Sequence, residues 1–263
     1  MHIFYSEYQN DYSTYTFSYC PYCVCETVDE IPVIYASGFL PYSGNPKLHQ
    51  YVYYMARSLR ISLQEFYFTS ENRRVDRKFE RCKIEKKWIP ITAFDIEDRR
   101  FLDFCLNYCN ARFSQGEMNE SRLRYVLKSP FLTDIICYYI DEVVAGYVFF
   151  SMHGGVIHYW YSFYNLEKFI EIPLGKFLMM DVIRESKKRR MEYIYLGTCY
   201  GAESLYKVRD FKGVKFFDGE RWRSDIHTLK SWCKADEEIK HADRFKQLST
   251  EQVNQNFDKR GWC

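Results

Sequence analysis

The 263-residue chain has little excess charge of either sign: 37 Lys and Arg stand against 35 Asp and Glu, for a formal charge of +2. That balance excludes a generally polycationic nucleic-acid binder, so any RNA or DNA contact has to use a local patch. No internal repeat and no low-complexity tract interrupt the chain. The start, Met1-His2-Ile3-Phe4-Tyr5-Ser6-Glu7, lacks the basic residues and apolar run of a secretion signal. The longest uncharged run, residues 143–166, has the length of a membrane span, yet it holds His153, Gly154, Gly155, His158, Ser162 and Asn165. It reads instead as two strands around a His-Gly-Gly turn, and no membrane partner is expected. Ten cysteines without an export signal point to reduced thiols or metal ligands and a cytoplasmic location. No Ser-His-Asp or Cys-His arrangement stands out, so the catalytic residues are unknown from sequence.

What is abundant is aromatic: 24 Tyr, 21 Phe and 5 Trp make 19% of the chain. Tyrosines bury a ring and keep a hydroxyl for a partner, which suits polar-lined cores and binding sites alike. A hydrophobic share of 47% is ample for a sizeable core. Residues 71–87 carry eight basic side chains against four acidic ones and end at Trp88-Ile89-Pro90, which suggests a boundary between domains 1–90 and 91–263. The basic run reads equally as a solvated helix or loop face.

Beyond it, apolar spacing predicts an amphipathic helix over 95–109, with Cys105 and Cys109 one turn apart as core residues. Residues 135–140, 143–150 and 156–164 read as three strands. A helix follows Pro173 and closes in Lys187-Lys188-Arg189-Arg190; Tyr193-Ile194-Tyr195-Leu196 is then a buried strand ended by Gly197. The tail from Ser224 is charged and helical. Three antiparallel strands, a crossover helix and a further strand define an α+β fold, with a smaller N-terminal cysteine-bearing domain.

Cys20-Pro21-Tyr22-Cys23 resembles the active site of glutaredoxins, but such a dithiol must open a helix, and residues 24–32 have no helical stripe. Cys20, Cys23 and Cys25 instead offer three thiolates for a metal, a zinc ion or an iron–sulfur cluster, with Cys82 or His49 as a fourth ligand; simple packing of the cysteines is the alternative.

Taken together, several segments resemble the arginyl- and leucyl-tRNA–protein transferases. Cys20-Pro21-Tyr22-Cys23 is similar to the family's C-G-Y-C, and Gly38-Phe39-Leu40-Pro41-Tyr42-Ser43-Gly44 to its G-F-R-R-S-G, with Leu40 and Pro41 in place of the two arginines. Arg60-Ile61-Ser62-Leu63-Gln64-Glu65-Phe66, with Ser70-Glu71-Asn72-Arg73-Arg74 after it, resembles a further stretch. Leu174-Gly175 and the strand ending at Gly197 match S-L-G and Y-x-Y-L-G, Leu205-Tyr206-Lys207 stands at M-x-Y-K, and Trp222 where a tryptophan closes the domain. The family's second cysteine pair is replaced here by Tyr53-Tyr54-Met55-Ala56.

The resemblance implies a catalytic half with the GNAT acyltransferase fold. It also implies an enzyme that moves an amino acid, arginine rather than leucine, from aminoacyl-tRNA to a protein with an acidic N-terminal residue. Such protein arginylation marks the acceptor for N-degron degradation. The loop Ile172-Pro173-Leu174-Gly175-Lys176-Phe177 lacks the glycine-rich pattern that holds CoA pyrophosphate, so no acetyl-CoA is expected. Candidate residues for the acidic N-terminus are Arg60, Arg73 and Arg74, whose guanidinium groups can hold a carboxylate in a bidentate fork, with Tyr35 and Tyr54 lining the pocket. Candidates for tRNA are Lys187, Lys188, Arg189, Arg190, Lys207 and Arg209. A non-catalytic, metal-stabilised binding module for acidic N-termini, or a GNAT-like ligase with another acceptor, is the competing reading.

Overall fold

The computed structural model describes residues 1–11, 16–44, 51–112 and 118–241; His49 and the chain beyond 241 lie outside them. In chain order the elements are β1 (His2–Asp11), β2 (Thr16–Val24), α1 (Ile31–Ala36), β3 (Phe39–Pro41), β4 (Val52–Met55), β5 (Ser58–Ser62), α2 (Ser70–Arg77) and β6 (Ile84–Pro90). There follow α3 (Arg99–Arg112), α4 (Glu120–Leu127), β7 (Asp134–Ile140), β8 (Val143–His153), β9 (Val156–Tyr164), α5 (Leu174–Lys188) and β10 (Tyr193–Thr198). The chain then runs through α6 (Tyr206–Asp210), β11 (Val214–Phe217), β12 (Trp222–Arg223) and α7 (Ile226–His241).

Two sheets result. The smaller has the order β1-β2-β4-β3, and the larger β12-β11-β5-β10-β9-β8-β7-β6. The expected meander is there: β7, β8 and β9 are antiparallel neighbours, and β9 and β10 are parallel and joined through α5. Asp141 and Glu142 both take positive φ in the turn between β7 and β8, a tight connection that acidic side chains tolerate better than branched ones. Pro173 stands immediately before α5, where a missing N–H costs nothing, and the buried face of that helix is Leu174, Phe177, Leu178 and Ile183.

The expected boundary at residue 90 does not follow the sheets. β5 lies inside the large sheet between β11 and β10, and β6 is its edge strand beside β7, although both precede residue 91. The basic run hid the strand for a physical reason: β6 is an edge strand, and Glu85, Lys86 and Lys87 are exposed on its two faces in alternation, charges that discourage edge-to-edge pairing. The beginning of the run forms α2, capped by Thr69 and Asn72 in a reciprocal box, with Arg73, Arg74 and Arg77 on its outer side.

The small sheet is not free-standing. Its core residues Tyr35, Phe39 and Tyr53 pack with Val156 of β9 and Tyr195 of β10. The opposite face of the large sheet carries the largest core, built on α5 and Ile194, Leu196 and Ile157, while α3, with Cys105 and Cys109 buried, closes a third. At the seam, Gly38 has φ +84, and a Cβ there would lie 2.1 Å from the Phe217 ring. Gly38→Ala is therefore expected to lower the unfolding free energy by about 2 kcal/mol or more, since positive φ and the ring clash add, as read by urea denaturation.

Candidate active site

The parallel pair β9 and β10 is joined only at its beginning, where Tyr193, Ile194 and Tyr195 face Val156, Ile157 and His158. Past that point the strands diverge. β9 stays with β8 but carries an extra residue at Trp160, opposite the Phe149–Phe150 step. β10 stays with β5 and also has an irregular register between Tyr195 and Thr198, where Gly197 takes φ +77. A bulge bends its strand and re-aims the side chains beside it. Two bulges at one level on adjacent strands leave a cavity of about 370 Å³ between them.

Its walls come from widely separated segments of the chain. β9 supplies His158 and Trp160, β10 Gly197 and Thr198, α6 Lys207, α4 Arg122, and β4 Tyr54. Leu40 and Pro41, the positions of the missing arginines, also face this cavity. A larger cleft of about 750 Å³, with Met55, Phe217 and Trp232 in its walls, meets it along Tyr54 and Thr198. Arg57 in that cleft is held bidentately by Asp236 at 2.7 and 3.2 Å, which pins α7 to the start of β5.

Of two ionisable groups in the cavity wall, one is buried and the other half-buried. His158 is 2% exposed; its Nδ1 is 3.2 Å from the Tyr35 hydroxyl, and its Nε2 has no partner among the described residues. Burial, aided by the charge of Lys207, pushes its pKa down to about 3, so the ring is neutral at physiological pH. Lys207 donates to the Thr198 carbonyl at 3.0 Å, and burial lowers its amine to about 8. The neighbour that raises it is the Cys199 thiol, not a carboxylate.

Only Tyr54 and Lys207 among the sequence candidates face the cavity. Tyr35 is wholly buried, stacked on Tyr195 at 4.9 Å, and acts on the site through His158. Arg60 lies between the rings of Tyr193 and Trp222, at 4.3 and 4.1 Å, so three residues of the family motifs form one cation–aromatic stack. Arg73 donates to the Phe68 carbonyl and Arg74 pairs with Glu71, both on the surface of α2. Lys187 donates to the Phe66 carbonyl, Lys188 pairs with Glu185, and Arg189 covers Trp88 at 3.8 Å. With Arg190 they occupy the C-terminal end of α5, about 13 Å along the helix from Met179, which lines the cavity. Arg209 is exposed beside Asp210.

The three thiols do not fit a metal as a set. Alternation along β2 directs Cys23 to one face and Cys20 to the other, where Cys20 points toward the Met55 carbonyl and Cys25 bonds that of Thr27. Burial pushes the Cys23 thiol up to about 12, which opposes the thiolate that a metal needs. No group of three or more His, Cys, Asp or Glu among the described residues converges on a metal site. Being on a strand, the Cys20–Cys23 pair also lacks the helix N-terminus of a redox dithiol. Cys82 lies apart, against the α5 core.

His158 escaped the sequence reading because a lone histidine in an apolar strand carries no motif. Arg122 escaped because α4 lies far from the other wall residues in sequence.

Residues 101–209 match the family model "Arginine-tRNA-protein transferase, C terminus", which bears out the family resemblance over that segment. No curated protein matches the chain. Among solved structures, L-PGS from Bacillus licheniformis is 14% identical, covers 78% of this chain and 69% of its own, and has a TM-score of 0.42. A conserved protein of unknown function from Bacteroides thetaiotaomicron is 13% identical, with 72% and 63% coverage and a TM-score of 0.43. The C-terminal domain of an Agrobacterium fabrum protein assigned as a lysylphosphatidylglycerol synthetase is 12% identical, with a TM-score of 0.39. The match covers 65% of this chain but about half, 51%, of that one. The acyltransferase fold rests on the meander, the crossover and the diverging strands themselves.

The neutral state of His158 has a consequence for stability. Between pH 6.5 and about 3 the unfolded chain binds a proton that the folded ring refuses, so stability falls as pH falls through that window. His153, also lowered by burial, adds to the same trend. In His158→Gln, the loss of unfolding free energy between pH 7 and pH 5 is expected to shrink by about 2 kcal/mol, measured by urea titration at each pH.

Proposed function

From a chain that carries the C-terminal segment of the arginine-tRNA-protein transferase family, we infer an aminoacyl-tRNA–protein transferase whose reaction takes place between the diverging ends of β9 and β10. The observation that carries this reading is the position of Lys207, at the family's M-x-Y-K motif and inside the matched segment, with its amine in the wall of that cavity. The ester of a charged tRNA is already activated, so the site chiefly has to bring two ends together and hold the developing oxyanion. Two cavities that meet at Tyr54 and Thr198 suit two substrates approaching one point from different sides.

Arginine is the donated residue in this reading, and the acceptor begins with an acidic residue, which fits a cavity with Arg122 in its wall. That cation stands in for the arginines replaced by Leu40 and Pro41. Arginylation of that kind marks the acceptor for N-degron degradation and takes place in the cytoplasm. Among the described residues no helix is long and apolar enough to cross a membrane. CoA is disfavoured as the donor because the Tyr164 ring lies over the first turn of α5, where a Cβ on Gly175 would meet it at 2.7 Å. A pyrophosphate would need that space and the amides beneath it.

The test offers arginyl-tRNA and leucyl-tRNA, each with a labelled amino acid, together with peptides beginning with Asp, Glu or a neutral residue. Transfer of arginine to the acidic peptides alone is the expected result. Leucine transfer would change the donor, and transfer to neutral N-termini the acceptor. No transfer from either tRNA, with peptide binding retained, would replace the enzyme by a binding module.

A further inference from the structure

Lys207 is arranged unlike a residue that holds RNA phosphate. Its Nζ is turned into the cavity wall, tied to the Thr198 carbonyl at 3.0 Å and 6.0 Å from the centre of the Tyr206 ring. The irregular stretch of β10 lies against it: Gly197 takes φ +77, and a Cβ there would be in ordinary contact with Nζ at 3.7 Å. The groups that face it are His158 from β9, Cys199 at the end of β10 and Tyr206 on its own helix, with Arg122 of α4 and Tyr54 of β4 in the same cavity. None is a carboxylate that would lock the ammonium form. His158 is neutral, its Nδ1 at the Tyr35 hydroxyl, and its Nε2 has no partner among the described residues.

We propose that Lys207 is the catalytic proton carrier of the transfer, taking a proton from the acceptor's α-amine and passing it to the 3′ oxygen of the departing tRNA. This rests on the aminoacyl-transfer reading above. The α-amine nitrogen attacks the ester carbonyl, a C–N bond forms, and the carbonyl electrons move onto oxygen. The nitrogen, now carrying an extra proton, loses it to the neutral Nζ. The oxyanion re-forms the carbonyl, the C–O bond to tRNA breaks with its electron pair, and Nζ returns the proton to that 3′ oxygen. No co-reactant is consumed, and Lys207 ends as it began. An amine titrating near 8 is partly neutral at physiological pH, so it can take the ammonium proton of the tetrahedral adduct, and its conjugate acid is then acidic enough to protonate the far more basic departing 3′ oxygen. Burial makes this possible here, whereas an exposed lysine on a phosphate path would stay charged.

Single-turnover transfer by wild type, Lys207→Ala and Lys207→Arg tests the role. Both variants are expected to slow transfer by about 100-fold or more, because arginine keeps the charge but does not give up its proton, while tRNA affinity changes less than about threefold. A second measurement uses an acceptor with an aminooxy group in place of its α-amine. This nucleophile stays neutral throughout the range, so a fall in the wild-type rate below about pH 8 belongs to the enzyme and should vanish in the residual activity of the alanine variant. Activity in Lys207→Arg within about tenfold of wild type, or weakened tRNA binding at an unchanged rate, would overturn the proposal and return Lys207 to phosphate binding. If the variants do not fold, the wild-type aminooxy profile decides alone, and a flat profile overturns it. Wild type that transfers nothing removes the aminoacyl-transfer reading and this proposal with it, whereas an active wild type with an active arginine variant removes only the proposal.

Discussion

Neighbouring parallel strands ordinarily share hydrogen bonds along their whole length, because a backbone amide or carbonyl left without a partner is costly. Here β9 and β10 share them only at the start, and each then keeps its ladder on the far flank, β9 with β8 and β10 with β5. That division is what allows a cavity to open inside a sheet. It also explains why β5, from the N-terminal third of the chain, has to enter the larger sheet. Without it the end of β10 would have no antiparallel partner, and Thr198 and Gly197 would not be held at the cavity.

The small sheet completes the environment of the site. Tyr35 reaches from α1 to His158, and Tyr54 from β4 faces both cavities. Burial under this layer keeps His158 neutral and lowers the Lys207 amine, since a charge is more costly where water is excluded. Arg60, Tyr193 and Trp222 are tied together on the same side, and the Trp222 indole donates to the Ala36 carbonyl at 2.7 Å. The residues of the family motifs thus divide. Some secure the small sheet on the large one, and Lys207 faces the cavity.

The strands 135–140, 143–150 and 156–164, the helix after Pro173 and the strand ending at Gly197 were legible because each carries its own period, with Gly or Pro near several of its ends. β6 and the placement of β5 were not, since the partners of a strand lie elsewhere in the chain. The cysteines misled for a related reason: spacing brings Cys20 and Cys23 close along the chain, but a strand sends them to opposite faces. Basic runs likewise do not show the partners of their side chains. Arg74 and Lys188 are paired on the surface, and Lys187 and Arg189 are taken up by a carbonyl and an indole.

By itself, the sequence determined the order of elements in the second half, the acyltransferase-type crossover and the family to which residues 101–209 correspond, because local periodicity and ordered motifs are written in neighbouring residues. Tertiary structure alone decided which ionisable groups come together at the cavity. His158 in an apolar strand, Lys207 in a short helix, Arg122 in another and Tyr35 far upstream meet only because a bulge in each of β9 and β10 drives the strands apart and a second sheet covers the opening. Their protonation depends on the water excluded there, and burial is a property of the assembled layers that no single segment possesses.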